Sequence, residues 1–270
     1  MLDTSVYRRI REEYGFPVYI LDSDRLCENY RLLTAGMSAG YAPYRAAYSY
    51  KTNYTPRIVS LVHTLGGMAE VVSGMEYALA RRVGNAPENI LFNGPCKGAD
   101  GIAALLEGAC VVIDNEEELA AVVRSAAAHP ERVCHTALRL HVDIGSGKPS
   151  RFGLRTEPEY LQKIVSRLRA GKNLSFDGIQ CHISGSRSIA GWESRARVML
   201  ALAKELFPAA PPRFIDLGSG MFGRLPEAMR ASFAQPIPTF EEYGAAVGAL
   251  FAAEYGALPE SERPTLITEP

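Results

Sequence analysis

Met68-Ala69-Glu70-Val71-Val72-Ser73-Gly74-Met75-Glu76-Tyr77-Ala78-Leu79 holds one complete structural unit of this chain. The stretch 68–72 is an apolar run broken by a single acid, the length of a buried strand. Ser73 with Glu76 three residues later is the pairing that caps a helix N-terminus reciprocally, and Ala78 and Leu79 open an apolar helical face behind it. A strand that passes at once into a capped helix is half of a βα repeat, and the rest of the chain can be searched for more.

Seven further runs have strand character, so the set in order is 46–50, 68–72, 90–92, 110–113, 136–142, 178–183, 214–217 and 265–268. Amphipathic helices lie between them. Thr55 before Pro56 is an N-cap with proline at the first helical position, and Ile58, Val59, Leu61, Val62 and Leu65 supply its apolar face. Asn115 and Glu118 repeat the capping pair, Tyr160, Leu161, Ile164, Val165 and Leu168 recur on one stripe, and Gly66, Gly84, Gly108 and Gly171 stand where helices stop. Strands alternating with helices predict a parallel sheet, and eight of them predict closure into a (β/α)₈ (TIM) barrel.

The barrel is expected to fill residues 46–270. Residues 1–45 precede it and carry a strand-like Val18-Tyr19-Ile20-Leu21 and a helix from Ser23 to about Met37. The chain closes on Thr265-Leu266-Ile267-Thr268-Glu269-Pro270, a strand with no turn or polar tail after it, which is expected of a fragment. Its 270 residues suffice for one such barrel. A formal charge of -1, from 29 basic and 30 acidic residues without long single-sign runs, points away from nucleic acid and from membrane surfaces. Five scattered cysteines without a CxxC pair favour a reducing compartment, so a cytoplasmic location is expected, with no metal site and a small-molecule ligand.

Active sites of such barrels form at the C-terminal ends of the strands. Here those ends carry Lys51, Glu70 with Ser73, Asn93, Asp114, Arg139 with His141, His182 with Ser184 and Ser186, the Gly218-Ser219-Gly220 turn, and Glu269. An amine at the barrel mouth is partly desolvated, which favours the neutral nucleophile; the alternative is a lysine snorkelling at a strand end. Gly218-Ser219-Gly220 and Ser184-Gly185-Ser186 are small-residue turns on adjacent strands, able either to turn tightly or to offer backbone N–H groups to a phosphate. His182 and Glu269 could equally be hydrogen-bonded core groups, Arg139 could pair with Asp143 or Glu70, and Ser73 could be a helix cap alone.

Tyr48-Ser49-Tyr50-Lys51-Thr52-Asn53 resembles the Tyr-Ala-x-Lys-Ala-Asn segment of fold-type III pyridoxal 5′-phosphate (PLP) decarboxylases, the diaminopimelate and ornithine decarboxylase group. Further likenesses follow in order. Tyr14-Gly15-Phe16-Pro17-Val18-Tyr19 looks like the opening of the diaminopimelate branch, Glu70-Val71-Val72-Ser73-Gly74-Met75-Glu76 its Asp-x-x-Ser-x-x-Glu, and Phe92-Asn93-Gly94-Pro95-Cys96-Lys97 its Asn-Gly-x-x-Lys. Ile113 to Leu119, Arg151-Phe152-Gly153, the Gly178 to Ile183 strand, Asp216-Leu217-Gly218-Ser219-Gly220 and Glu269-Pro270 continue the series.

The resemblance implies a barrel like the N-terminal domain of alanine racemase, PLP as cofactor, and Lys51 as the residue that carries it. It implies that His182 stacks on the pyridine ring and that Glu269 keeps the ring nitrogen protonated. Gly218, Ser219 and Gly220, with Ser184 or Ser186, would hold the phosphate, while Ser73 and Arg139 would lie near the cofactor. The activity implied is decarboxylation of an amino acid, with meso-diaminopimelate or another basic amino acid as substrate. The full protein is then a homodimer whose shared active sites are completed by a C-terminal β domain absent from these residues, which leaves this chain alone inactive or weakly active. Four departures mark a divergent member: His182-Ile183-Ser184-Gly185-Ser186 has one residue more than His-x-Gly-Ser, Ser219 replaces a glycine, Arg151 a lysine, and Glu70 an aspartate. Three other readings stand beside it: a PLP-dependent racemase, a non-enzymatic single-domain PLP carrier, and a PLP-free phosphosugar barrel.

Overall fold

A computed structural model describes residues 3–145, 151–233 and 235–270. Eight parallel strands close into one barrel in sequence order: β1 (Tyr44–Ser49), β2 (Met68–Val71), β3 (Ile90–Phe92), β4 (Cys110–Ile113), β5 (Cys134–Arg139), β6 (Leu174–Gln180), β7 (Phe214–Asp216) and β8 (Thr265–Thr268). The seam is β1 against β8, with Tyr44, Arg45 and Ala46 opposite Leu266, Ile267 and Thr268. The helices are α1 (Thr4–Tyr14), α2 (Ser23–Gly40), α3 (Pro56–Thr64), α4 (Gly74–Arg82), α5 (Gly98–Glu107), α6 (Glu116–Ala128), α7 (Pro158–Ala170), α8 (Ile189–Leu206), α9 (Glu227–Arg230) and α10 (Phe240–Tyr255).

The period of two along each strand divides its side chains between two cores. Ala46, Ala69, Val71, Ile90, Phe92, Val111, Ile113, Leu138, Ile179, Ile215 and Leu266 face the helices. Ala47, Met68, Leu91, Cys110, Val112, Ala137, Phe214 and Ile267 form a second cluster, the plug inside the barrel. Gly178 is the β6 member of that plug: a Cβ there would stand 2.5 Å from the Phe214 carbonyl oxygen and 2.8 Å from its ring.

Two of the three N-cap signals form, with one adjustment; Thr55 stands at the start of α3 but its side chain makes no capping hydrogen bond. Ser73 and Asn115 each accept the N–H three residues on, from Glu76 and Glu118. The two glutamates reach one residue past the cap, to the N–H of Val72 at 2.7 Å and of Asp114 at 2.9 Å, and so tie each helix to the strand end before it. α2 meets α10 backbone to backbone, because Gly36 and Gly40 face Gly244 and Gly248.

Three expectations change. Val18 to Leu21 is no strand: it runs extended with Tyr19 fully exposed and Phe16 83% exposed. The closed barrel has no free edge to pair with it. α1 is an addition to the expected elements: Val6, Tyr7, Ile10 and Tyr14 recur at helical spacing, yet the helix buries no residue. β5 and β6 start earlier than expected and end at Arg139 and Gln180, since the chain leaves the barrel after Arg139 to bridge Leu140 with Leu154. Among the described residues no helix is long and apolar enough to cross a membrane.

Candidate active site

Two residues beyond the apolar plug, every strand turns a polar side chain inward: Ser49, Glu70, Asn93, Asp114, Arg139, Gln180, Asp216 and Glu269. The ladder holds them level, with Ser49 opposite Glu70, and Arg139, Gln180 and Asp216 in successive register. All but Arg139 are buried. Above them opens a cavity of about 700 Å³ lined by Lys51, Glu70, Asn93, Arg139, Arg151, Phe152, Gln180, His182, Ser184 and Glu269, among others.

Lys51 lies on a single helical turn, Tyr50–Thr52, directly after β1. Its Nζ donates to Ser49 Oγ at 2.6 Å and to Glu70 Oε2 at 2.5 Å, and Ser49 itself donates to the same Glu70 oxygen. Burial and the nearby Glu269 charge raise the Glu70 pKa, against the pull of Lys51. Glu70 Oε1 takes a hydrogen bond from Asn93 at 3.1 Å.

Glu269, like Glu70, is surrounded by three hydrogen-bonding partners. Its Oε1 accepts from Asn93 Nδ2 at 2.6 Å and Gln180 Nε2 at 3.1 Å, while Oε2 lies 3.2 Å from His182 Nδ1. Burial alone would push its carboxyl upward, but the His182 hydrogen bond and the Lys51 and His182 charges hold it below the usual range. Asp216 goes the other way: burial, then the Glu269 charge, raises it well above that range. The two neighbouring carboxyl groups are thus pushed apart, Glu269 toward the ionised form and Asp216 toward the protonated one.

The other expected site residues separate into those at the cavity and those beside it. Ser184 lines the cavity, whereas Ser186 packs its hydroxyl against α8 at Gly191. Gly218 and Gly220 have positive φ, and a Cβ on either would fall 2.2 Å from the Cys181 oxygen or 2.4 Å from the Ile183 oxygen. The Gly218–Gly220 turn, Ser219 included, is thereby locked onto the loop after β6. Ser73 caps α4 and lies outside the cavity lining. Arg139 pairs with neither Asp143 nor Glu70; its Nη1 donates to Asp114 at 3.2 Å and its guanidinium stands 4.9 Å from the Phe152 ring centroid. Lys97 turns away, with Nζ bound to Gly94 oxygen at 2.5 Å and Glu118 at 2.6 Å. His141 is held through its backbone to Leu154 and is not at the cavity wall.

The donor set and the glycine turn fit a pyridine ring with a phosphate tail: an amine and an ionised carboxylate share one cavity, and the turn is too close-packed for side chains. The family described as pyridoxal-dependent decarboxylase, pyridoxal binding domain, matches residues 30–270. The chain belongs to this family. It is 24% identical over 233 residues to the diaminopimelate decarboxylase of Aquifex aeolicus, covering 79% of this chain and 52% of that protein. It is 27% identical over 229 residues to that of Methanothermobacter thermautotrophicus, covering 78% and 51%. The chain thus spans about half the length of these curated relatives. The crystal structure of a diaminopimelate decarboxylase from Methanocaldococcus jannaschii superposes with a TM-score of 0.84 at 24% identity, over 97% of this chain and 62% of that one. The likeness establishes the fold, and family membership brings PLP as the cofactor.

Proposed function

We propose that this barrel is the cofactor half of an amino-acid decarboxylase, with meso-diaminopimelate as the favoured substrate and other basic amino acids as the next candidates. Lys51 binds the cofactor aldehyde. Ser49 and Glu70 hold the free Lys51 amine, and would orient it toward a cofactor in the cavity. His182 orients the ring from one face, Glu269 holds a proton on the ring nitrogen, and Ser184 with the Gly218–Gly220 turn binds the phosphate; Arg139 borders the ring. When bound, PLP supplies an electron sink for the bonding pair left behind as the substrate carboxylate departs. The net change breaks one carbon–carbon bond, releases CO₂, and sets one proton, delivered from Lys51 Nζ, on the α-carbon.

Glu269 carries this assignment. An ionised carboxylate against the ring nitrogen keeps the sink deep, whereas racemases on this barrel set an arginine there. No such arginine faces the cavity floor: its described arginines are Arg139 and Arg151, and Arg139 is committed to Asp114 and Phe152. Five free cysteines accord with a cytoplasmic protein, and a homodimer is the assembly this reading expects. The deciding assay supplies the full-length protein with PLP and, in turn, meso-diaminopimelate, lysine, ornithine and arginine, and measures released CO₂. Release from one of them is expected; exchange of the α-hydrogen with inversion and no CO₂ would instead make it a racemase. Borohydride reduction and peptide mapping should place the pyridoxyl group on Lys51 and on no other lysine.

A further inference from the structure

Arg195 on α8 is fully buried, and no carboxylate among the described residues lies within ion-pair distance of it. Its donors go to neutral backbone. Nη1 donates to the carbonyl oxygens of Leu217 at 2.8 Å and Ser219 at 2.5 Å; Nη2 donates to those of Ile183 at 2.6 Å and Ser186 at 3.4 Å. One turn earlier on the same helix, Trp192 donates from Nε1 to the Gly220 oxygen at 3.1 Å and lays its ring 4.4 Å from the guanidinium carbon. Five carbonyls from the loops after β6 and β7 are therefore gathered onto one buried plate.

A trans peptide points its N–H opposite to its C=O. With those carbonyls drawn to α8, the N–H groups of Ser184, Arg187, Gly218, Gly220 and Met221 face away from it. Asp216 takes the Gly218 N–H at 2.7 Å. The other four donate to no described residue, although Gly220 is buried. A buried N–H without an acceptor keeps an uncompensated desolvation cost, and the carboxyl groups that act on Arg195 electrostatically, Asp216 and Glu269, do so from beyond ion-pair distance. Arg195 Nε is likewise without a partner. One small anion seated on the far side of these loops satisfies the N–H groups and balances the charge together.

We propose that Arg195 is the positioning residue of the cofactor's phosphate site: it turns the two loops so that their N–H groups converge on the phosphate, and its buried charge offsets that of the dianion. It touches no reacting atom. Lysine could supply the charge but not the planar fork that reaches both loops. Leucine or methionine would supply neither.

The test uses the intact chain and three ligands: PLP, pyridoxal, which lacks the phosphate, and inorganic phosphate as competitor. R195M is expected to weaken PLP about tenfold or more, the scale of one or two lost charge-assisted hydrogen bonds, with pyridoxal affinity changed less than about threefold. Inorganic phosphate should compete with PLP on the wild type and much less on R195M. The ³¹P resonance of bound PLP should shift toward its free-solution position. R195K, which keeps the charge and the fold should R195M fail to fold, is expected to show the same split at smaller size. PLP and pyridoxal weakened equally, or PLP binding and the ³¹P resonance unmoved in R195K and R195M, would overturn the proposal. It rests on PLP occupying this cavity, and that premise fails separately, by absence of PLP uptake in the wild type.

Discussion

Replacing Asp216 by asparagine should stabilise the protein near neutral pH and remove part of its pH dependence. Asp216 is fully buried; its Oδ1 accepts the Gly218 N–H and its Oδ2 has no hydrogen-bond partner. Burial and the adjacent Glu269 charge raise its pKa well above the usual carboxylate range. The native state then keeps a proton that the unfolded chain releases above about pH 4. A raised acid pKa contributes no penalty below the unfolded value, and a growing one as pH climbs from there toward the folded value. The slope is about 1.4 kcal/mol per pH unit over the range in which the folded protein keeps a proton that the unfolded chain has lost. Asparagine has the shape of the protonated acid, keeps an oxygen for Gly218 and does not titrate. Glu269, held below the usual range, stays ionised across this window and so cancels from the comparison. Urea unfolding of D216N and wild type at several pH values from 5 to 8 should show the variant's advantage widening as pH rises. Parallel profiles would mean that Asp216 is ionised in the native protein, and the assignment of charge to Glu269 alone would fall with it.

At the contact between α2 and α10, Gly40→Ala places a methyl 1.9 Å from the Gly244 oxygen and should cost about 1–3 kcal/mol or more by forcing the helices apart, read as a lowered Tm; Gly223→Ala, with nothing within 4 Å, is the control and should leave Tm unchanged. Lys97→Met strips the cation from Glu118 and Gly94 in a site where the lysine is 3% exposed, so denaturant unfolding should show a loss of about 3–5 kcal/mol; a loss under 1 kcal/mol would mean that the pair is solvated. Ser184→Ala should weaken PLP in a direct titration more than Ser186→Ala does, because only the first lines the cavity, and the opposite order would assign the phosphate to Ser186.

The barrel was legible because its period of two and its helix caps are local signals. Ser73 with Glu76 and Asn115 with Glu118 mark strand-to-helix passages within four residues, and each cap is formed. Five of the eight inward polar residues, Glu70, Asn93, Asp114, Arg139 and Glu269, stood out as strand-end chemistry. Ser49, Gln180 and Asp216 did not, although each follows a plug residue at the same spacing, because a serine, an amide or an acid near a turn has many ordinary uses. Counting two residues on from Ala47, Gly178 and Phe214 would have found them. Arg195 left no such trace: on an amphipathic helix an arginine reads as a solvent-facing residue, and only the fold shows its guanidinium closing on carbonyls 9 to 24 residues away. Val18 to Leu21 is a different case, a strand-like run whose expected partner is a C-terminal β domain outside these residues. Its composition is that of a strand, but strand formation needs a free edge, and the closure of β1 on β8 removes every edge the barrel could offer.

The order of charges in the polar layer follows from what lies beneath it. The plug of Ala47, Met68, Leu91, Val112, Ala137, Phe214 and Ile267 backs the layer with apolar side chains, so its hydrogen bonds come from within the layer or from the cavity above. Three of its carboxyl groups, Glu70, Asp216 and Glu269, lie in mutual electrostatic reach. Glu269 is held toward the ionised form by His182 and Lys51 together with Asn93 and Gln180; Asp216, with the Gly218 N–H as donor, is pushed toward the protonated form; Glu70 accepts from Lys51, Ser49 and Asn93. Donors fixed on the strand backbones need no reorganisation to stabilise a charge at Glu269, which is the condition under which a buried carboxylate acts on a ring nitrogen as a standing field. The positions of Asn93, Gln180 and His182 around one acid, rather than the presence of three acids, give the cavity its capacity to hold a protonated pyridine.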